Sequence, residues 1–170
     1  MPCVRAADLR IGMSADVTSL DPHYVNISPN NAVAWHVFEA LTHVDERARL
    51  VPGLAESWRA VDATTWEFKL RRGVKFHDGS DFTAEDVVAS IRRWSVKDAA
   101  GQMMARFTKE LAAVDAKTVR LSLSEPFGLV IDALAQPTAT PGKATAAGTQ
   151  AGKTSGQRVQ PKRNKPKRKR

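Results

Sequence analysis

Apolar and polar positions alternate along Trp66–Leu70, where Trp66, Phe68 and Leu70 interleave with Glu67 and Lys69. A period of two gives a strand one buried and one wet face. Val74 and Phe76 carry the apolar face past Gly73, and Asp78-Gly79 predicts a tight turn, since glycine accepts a positive φ. Thr83 with Asp86 three residues on has the spacing of a capping box. Ala84, Val87, Val88, Ile91 and Trp94 then recur at helical spacing, and Arg92 and Arg93 fall in the last turn, where the helix dipole favours cations. The span from Trp66 to Trp94 therefore reads as strand, turn and helix.

The same reading, taken from the start, predicts a short strand at Leu9–Met13 and a loop from Ser14 to Pro22. A helix capped by Asn30 or Asn31 is expected to run to about Leu41. A brief strand follows at Thr42–Val44, then a polar turn at Asp45–Arg49. Ala55-Glu56-Ser57 reads as a helical turn, and Trp58–Val61 pairs with Thr65–Leu70 about Asp62-Ala63-Thr64. Ser95–Arg106 has mixed character. Phe107–Val114 and Thr118–Ser124 form a second strand pair about Asp115-Ala116-Lys117, and Pro126 to about Ala135 starts a helix. The fold class expected is mixed α/β (α+β).

Composition sharpens the boundaries. The 170 residues suffice for one domain with a sizeable core. The net charge of +8 is misleading as an average. Residues 138–170 hold ten Lys or Arg and no acid, whereas 1–137 hold 16 basic and 18 acidic residues. We expect three stretches: a disordered start at 1–8, a domain at 9–137 and a disordered basic tail at 138–170. Val159 is the only large aliphatic residue near the end of that tail, too little apolar area to offset chain entropy. Lys162, Arg163, Lys165, Lys167, Arg168, Lys169 and Arg170 would attract phosphates non-specifically, so nucleic-acid or acidic-surface binding is the alternative function.

Candidate chemistry is sparse. A single cysteine, Cys3, excludes an intramolecular disulfide framework. No run of about 18 apolar residues is present, and MPCVRAADLRIG has no signal-peptide core. No phosphate-binding loop, dinucleotide fingerprint, nucleophile elbow or zinc-protease motif occurs. No catalytic residue, metal site or cofactor is therefore expected. His23, His36, His43 and His77 read as packing or surface residues, and Asp78 as a turn former. Met103-Met104 suits either a core or a plastic pocket. Trp58, Trp66 and Trp94 are expected in the core, with Trp35 as an interface candidate.

Several motifs together resemble the family 5 extracellular solute-binding proteins, the dipeptide, oligopeptide and nickel receptors of ABC importers. Pro52-Gly53-Leu54-Ala55-Glu56-Ser57-Trp58 matches the family's approach to its signature strand. Trp66-x-Phe68-x-Leu70-Arg71-x-Gly73-Val74-x-Phe76-His77-Asp78-Gly79 matches that strand and turn, and Phe82-Thr83-Ala84-Glu85-Asp86-Val87 its helix start. Ser19-Leu20-Asp21-Pro22 and Val119-x-Leu121-x-Leu123-x-Glu125-Pro126-Phe127 also fit, so the likeness spans about Leu9 to Ala135.

The resemblance implies the N-terminal part of lobe one of a type II periplasmic-binding-protein-like fold. It implies a monomeric, non-enzymatic receptor that closes on a peptide or similar small solute and meets an ABC permease. The periplasm is its implied place, though the missing leader leaves the cytoplasm open for this chain. Ser14, Ala15 and Asp16, after the first strand, and Gln102 with Met103, after the signature helix, are its implied ligand contacts. The resemblance stops near Gln136, which suggests a truncated or frameshifted product with reduced or no binding. Val130, Ile131 and Leu134 are then expected to lack apolar partners.

Overall fold

The computed structural model describes residues 10–23, 26–136, 139 and 141–142. Leu9 and the basic residues Lys162 to Arg170 lie outside them. The described chain is a mixed α/β structure. In order come α1 (Ser28–Val37), β1 (Thr42–Val44), β2 (Leu50–Pro52), β3 (Ala55–Ala60), β4 (Thr65–Leu70), α2 (Ala84–Lys97), α3 (Ala99–Phe107), β5 (Thr108–Asp115), β6 (Thr118–Leu123) and α4 (Val130–Leu134).

Four strands make an antiparallel sheet in the order β3–β4–β6–β5, and β1 pairs with β2 in a separate two-stranded ribbon. Trp58, Phe68, Val119 and Ala113 lie in one row across the sheet. Phe68, Val119, Leu121 and Leu111 are buried in the core that also holds the apolar residues of α2. The neighbouring row, Arg59, Glu67 and Arg120, turns to solvent. There Glu67 accepts hydrogen bonds from both arginines, with Arg120 Nη2 at 2.7 Å from its Oε1. That alternation is what the period of two in Trp66–Leu70 requires.

α2 buries Ala84, Val87, Val88, Ile91 and Trp94. Its start is fixed by Asp86, whose carboxylate accepts the Thr83 N–H at 2.9 Å and hydroxyl at 2.7 Å. Gly79 turns the preceding loop at φ +84°, and the Asp78 carboxylate accepts the Ser80 N–H at 3.0 Å. Trp58 and Trp66 are half-buried against the core, whereas Trp94 is fully enclosed.

Five elements differ from expectation. Ala55–Ser57 is strand, not a helical turn, because Ala55 pairs with Leu70 and Ser57 with Lys69 around a bulge. Ladder pairing outweighs the local helical preference of Ala-Glu. Ser95–Arg106 contains α3, where Gly101 obscured the helical pattern. The glycine is needed, since a Cβ there would sit 2.7 Å from the Trp94 carbonyl oxygen.

α1 starts earlier than expected, with Pro29 in its first turn, and ends at Val37 because Phe38 is extended. This frees Ala40 and Leu41 to accept the N–H groups of Gly53, Leu54 and Ala55 at 2.9–3.1 Å. Residues 10–13 form no strand and have no ladder partner among the described residues. Finally, Val130, Ile131 and Leu134 are buried rather than left without partners. α4 packs on α3 and β1, and the Thr42 hydroxyl donates to the Ile131 carbonyl at 3.2 Å.

Packing also continues past residue 137. Ala139 belongs to the core, and Gly142 bonds Ser90 of α2 twice, N–H to Oγ at 2.6 Å and Oγ–H to carbonyl at 3.1 Å.

Candidate functional site

The described residues before α1 run irregularly and reach the rest of the molecule through polar side chains. Residues 11–14 and one side of α1 enclose a groove of about 470 Å³. Ile11, Met13, Pro29 and Val33 give it apolar walls, and Ser14 and His36 supply hydroxyl and imidazole. The structure thus places Ser14 in a concave, mostly apolar site of the kind that encloses small ligands. Ala15 and Asp16 are exposed beside it and do not line it.

Gln102 and Met103 sit elsewhere, on the exposed side of α3. Gln102 Nε2 donates to the Val96 carbonyl at 3.1 Å, which ties it to the end of α2. Met103 is exposed, while Met104 beside it is buried in the core. No described cavity is lined by both Ser14 and Gln102. Of the five expected contact residues, Ser14 alone lines one of the described cavities.

The sequence pattern missed a polar cluster that joins the segment before α1 to α2. Arg93, on the wet face of α2, makes a two-pronged ion pair with Asp21. Its Nη1 is 2.8 Å from Oδ1, and its Nη2 meets Oδ2. The same Nη1 lies 2.8 Å from Nδ1 of the buried His23. Asp21 Oδ1 also accepts the His23 N–H at 3.0 Å. Hydrogen bonding from Arg93 outweighs the opposing effect of burial and holds the Asp21 carboxyl at about 2, below the ordinary 3.8. The pair reciprocally raises the Arg93 guanidinium.

Two further links flank this pair. Asn26 Nδ2 donates to Asp98 Oδ2 at 3.1 Å, and Asp98 Oδ1 caps α3 by accepting the Ala100 N–H at 2.9 Å and the Gly101 N–H at 3.3 Å. At the other end, Asn30 of α1 binds Thr18, with the Thr18 N–H 3.0 Å from Oδ1. The only sequence signal for this arrangement was the Asp21-Pro22 turn. Its partners stand more than 70 positions away and carry no motif of their own.

Two more concavities have different character. A cleft of about 550 Å³ lies where α2, α3 and β5 meet, with Glu85, Arg92, Ser95, Lys109 and Glu110 among its lining residues. Arg92 closes part of the β5 edge by donating to the Leu111 carbonyl at 3.2 Å. A smaller pocket of about 230 Å³ is lined by Phe38, Phe76, Phe82 and Pro141. Nearby on the surface, Glu39 lies 3.4 Å from Arg71 and 3.9 Å from His43, whose ring meets Trp35 at 5.3 Å. Among the described residues, no three His, Cys, Asp or Glu side chains converge as a metal site. None of the described helices is long and apolar enough to cross a membrane.

Comparison with known proteins gives this geometry a context. Residues 49–168 match the family described as "Bacterial extracellular solute-binding proteins, family 5 Middle". The glutathione-binding protein GsiB of Escherichia coli K12 is 36% identical over 137 residues, covering 78% of this chain and 26% of GsiB. The chain thus spans about a quarter of the length of such relatives. Among solved structures, OppA of Burkholderia pseudomallei superposes with a TM-score of 0.68 at 27% identity, covering 76% of this chain and 29% of that one. The murein tripeptide binding protein MppA of Escherichia coli gives 0.71 at 26% identity, over 77% of this chain and 30% of MppA.

Proposed function

The chain belongs to the family 5 bacterial extracellular solute-binding proteins, and on that premise we propose that it serves ABC-type import of peptides as part of the solute-capturing component. The observation that carries the reading is the extended likeness to proteins named for binding glutathione and murein tripeptide. A peptide would meet the apolar groove beside Ser14, with Asp16 at its rim available to pair with a ligand amine. The residues do binding rather than catalysis. By family, the place of action is the periplasm and the partner an ABC permease. These 170 residues offer one open wall, so they hold peptide weakly, because enclosure supplies much of a small ligand's affinity.

Calorimetric titration with glutathione and a panel of di- and tripeptides tests the reading. Weak, peptide-selective heats with a Kd on the order of 1 mM are expected. Heats no different from those of a monosaccharide control overturn peptide capture. A Kd near 1 μM overturns the open-wall account.

A further inference from the structure

We propose that Arg93 is the positioning residue for the segment preceding α1: it moors that segment to the corner where α2 meets α3, and so sets where the wall carrying Ser14 stands. The inference rests on the peptide-capture reading for its purpose, but not for its geometry.

The argument begins with what holds residues 10–23. They form no helix or strand, so no backbone ladder fixes them. Ile11, Met13 and Leu20 remain exposed, so apolar burial does little for them either. Their position therefore depends on a few polar links. Of those links, Thr18–Asn30 is local and joins the segment only to α1. Among the described residues, the long-range ones end on the corner formed by α2 and α3. Asp21 and His23 meet Arg93 near the end of α2, and Asn26 meets Asp98 at the start of α3.

Arg93 is the natural organiser of that corner. Its planar guanidinium engages both Asp21 oxygens at once, a geometry that a lysine ammonium does not reproduce. The same Nη1 sits against His23 Nδ1, which thereby acts as the acceptor. One side chain thus fixes both the position and the orientation of the Asp21–His23 turn. The platform beneath it is rigid. α2 is pinned by the enclosed Trp94, the next residue, and α3 is held against it through Gly101. Arg93 makes no contribution to the apolar core, so removing its fork loosens the moored segment while leaving the platform standing.

The test uses the full 170-residue chain. Amide hydrogen exchange is followed by NMR in the unaltered protein and in Arg93→Lys, Arg93→Met, Asp21→Asn and the double variant Asp21→Asn/Arg93→Met. Exchange of the hydrogen-bonded amides of Thr18, Asp21 and His23 should accelerate about tenfold in Arg93→Met and Asp21→Asn, and less in Arg93→Lys. The double variant should be no worse than either single one, because both break the same pair. Amides of β4 and β6 should be unaffected.

Equal acceleration throughout the chain, or none at the amides of Thr18, Asp21 and His23, overturns the proposal. So do additive effects in the double variant. A separate arm adds trialanine and follows the amide shifts of Ser14–Asp16. Smaller shifts in Arg93→Met than in the unaltered chain accord with positioning, and equal shifts there count against it. If trialanine moves no amide even in the unaltered chain, the peptide reading fails, and the exchange arm alone decides the mooring.

Discussion

Phe68, Val119, Leu121 and Trp94 are shut away from water in one continuous core, whereas Ile11 is 69% and Leu20 58% exposed in the segment before α1. The first region, from Leu54 to Leu123, is a sheet with helices laid on it. Each of its strands has a ladder partner, and most of its large apolar residues face inward at strand or helix spacing. The second, the described part of residues 10–41, holds to the first through an arginine fork, the Asn26 side chain, the carbonyls of Ala40 and Leu41, and the Leu41 side chain in the core. One region is held by area and the other, Leu41 apart, by points. Area is tolerant of detail and averages over many contacts. Points are specific, and a single substitution removes a large fraction of the attachment.

The contrast can be broken hardest from the side of area. Trp94→Ala empties the middle of the core, and a loss of about 3–5 kcal/mol is expected in denaturant unfolding followed by circular dichroism. A loss below about 1 kcal/mol would mean that burial is not what holds this half. Next comes the seam between the regions. Gly53→Ala would set a Cβ 2.4 Å from the Ala40 carbonyl oxygen and 3.0 Å from that of Leu41, both backbone atoms that yield little. About 2–3 kcal/mol is expected, with loss of the hydrogen bonds from residues 53–55 to 40–41. Retention of those amides' exchange protection in the variant would place the seam elsewhere.

The smallest effect sharpens the comparison from the side of points. The Asp21 carboxyl is held at about 2 against an ordinary 3.8. Its stabilisation is therefore fully present above pH 3.8 and lost as the pH falls through 2. Both partners are partly solvated, at 34% and 49% side-chain exposure, so the contribution is under about 1 kcal/mol. Carboxyl-detected NMR titration should give a midpoint below 3.8. A midpoint near 3.8 would show that Arg93 is not engaged in solution.

The same contrast explains what could be read in the sequence. Strands β4, β5 and β6 and helix α2 were legible because burial on one face imposes a period, and a period is visible in a string of residues. β3 is half legible: its pairing with β4 follows from the pattern, but its first residues read as a helical turn, since Ala-Glu-Ser says nothing about a ladder partner. α3 was hidden because its glycine serves a close approach to α2 that only the folded chain reveals. The candidate site was the least legible part. Ser14 lines a groove beside α1, whereas Gln102 and Met103 lie on the exposed side of α3. Arg93 looked like an ordinary cation in a last helical turn. Its role depends on a partner 72 positions away, and no local pattern encodes such a pairing.

Asp98 carries a consequence of another kind. Its N–H ends α2 on the Trp94 carbonyl at 2.9 Å, one carboxylate oxygen opens α3, and the other receives Asn26. Three separate grammatical marks, a full stop, a capital letter and a cross-reference, are written with one character. A substitution there reports on all three duties together, so its effect is never assignable to one of them.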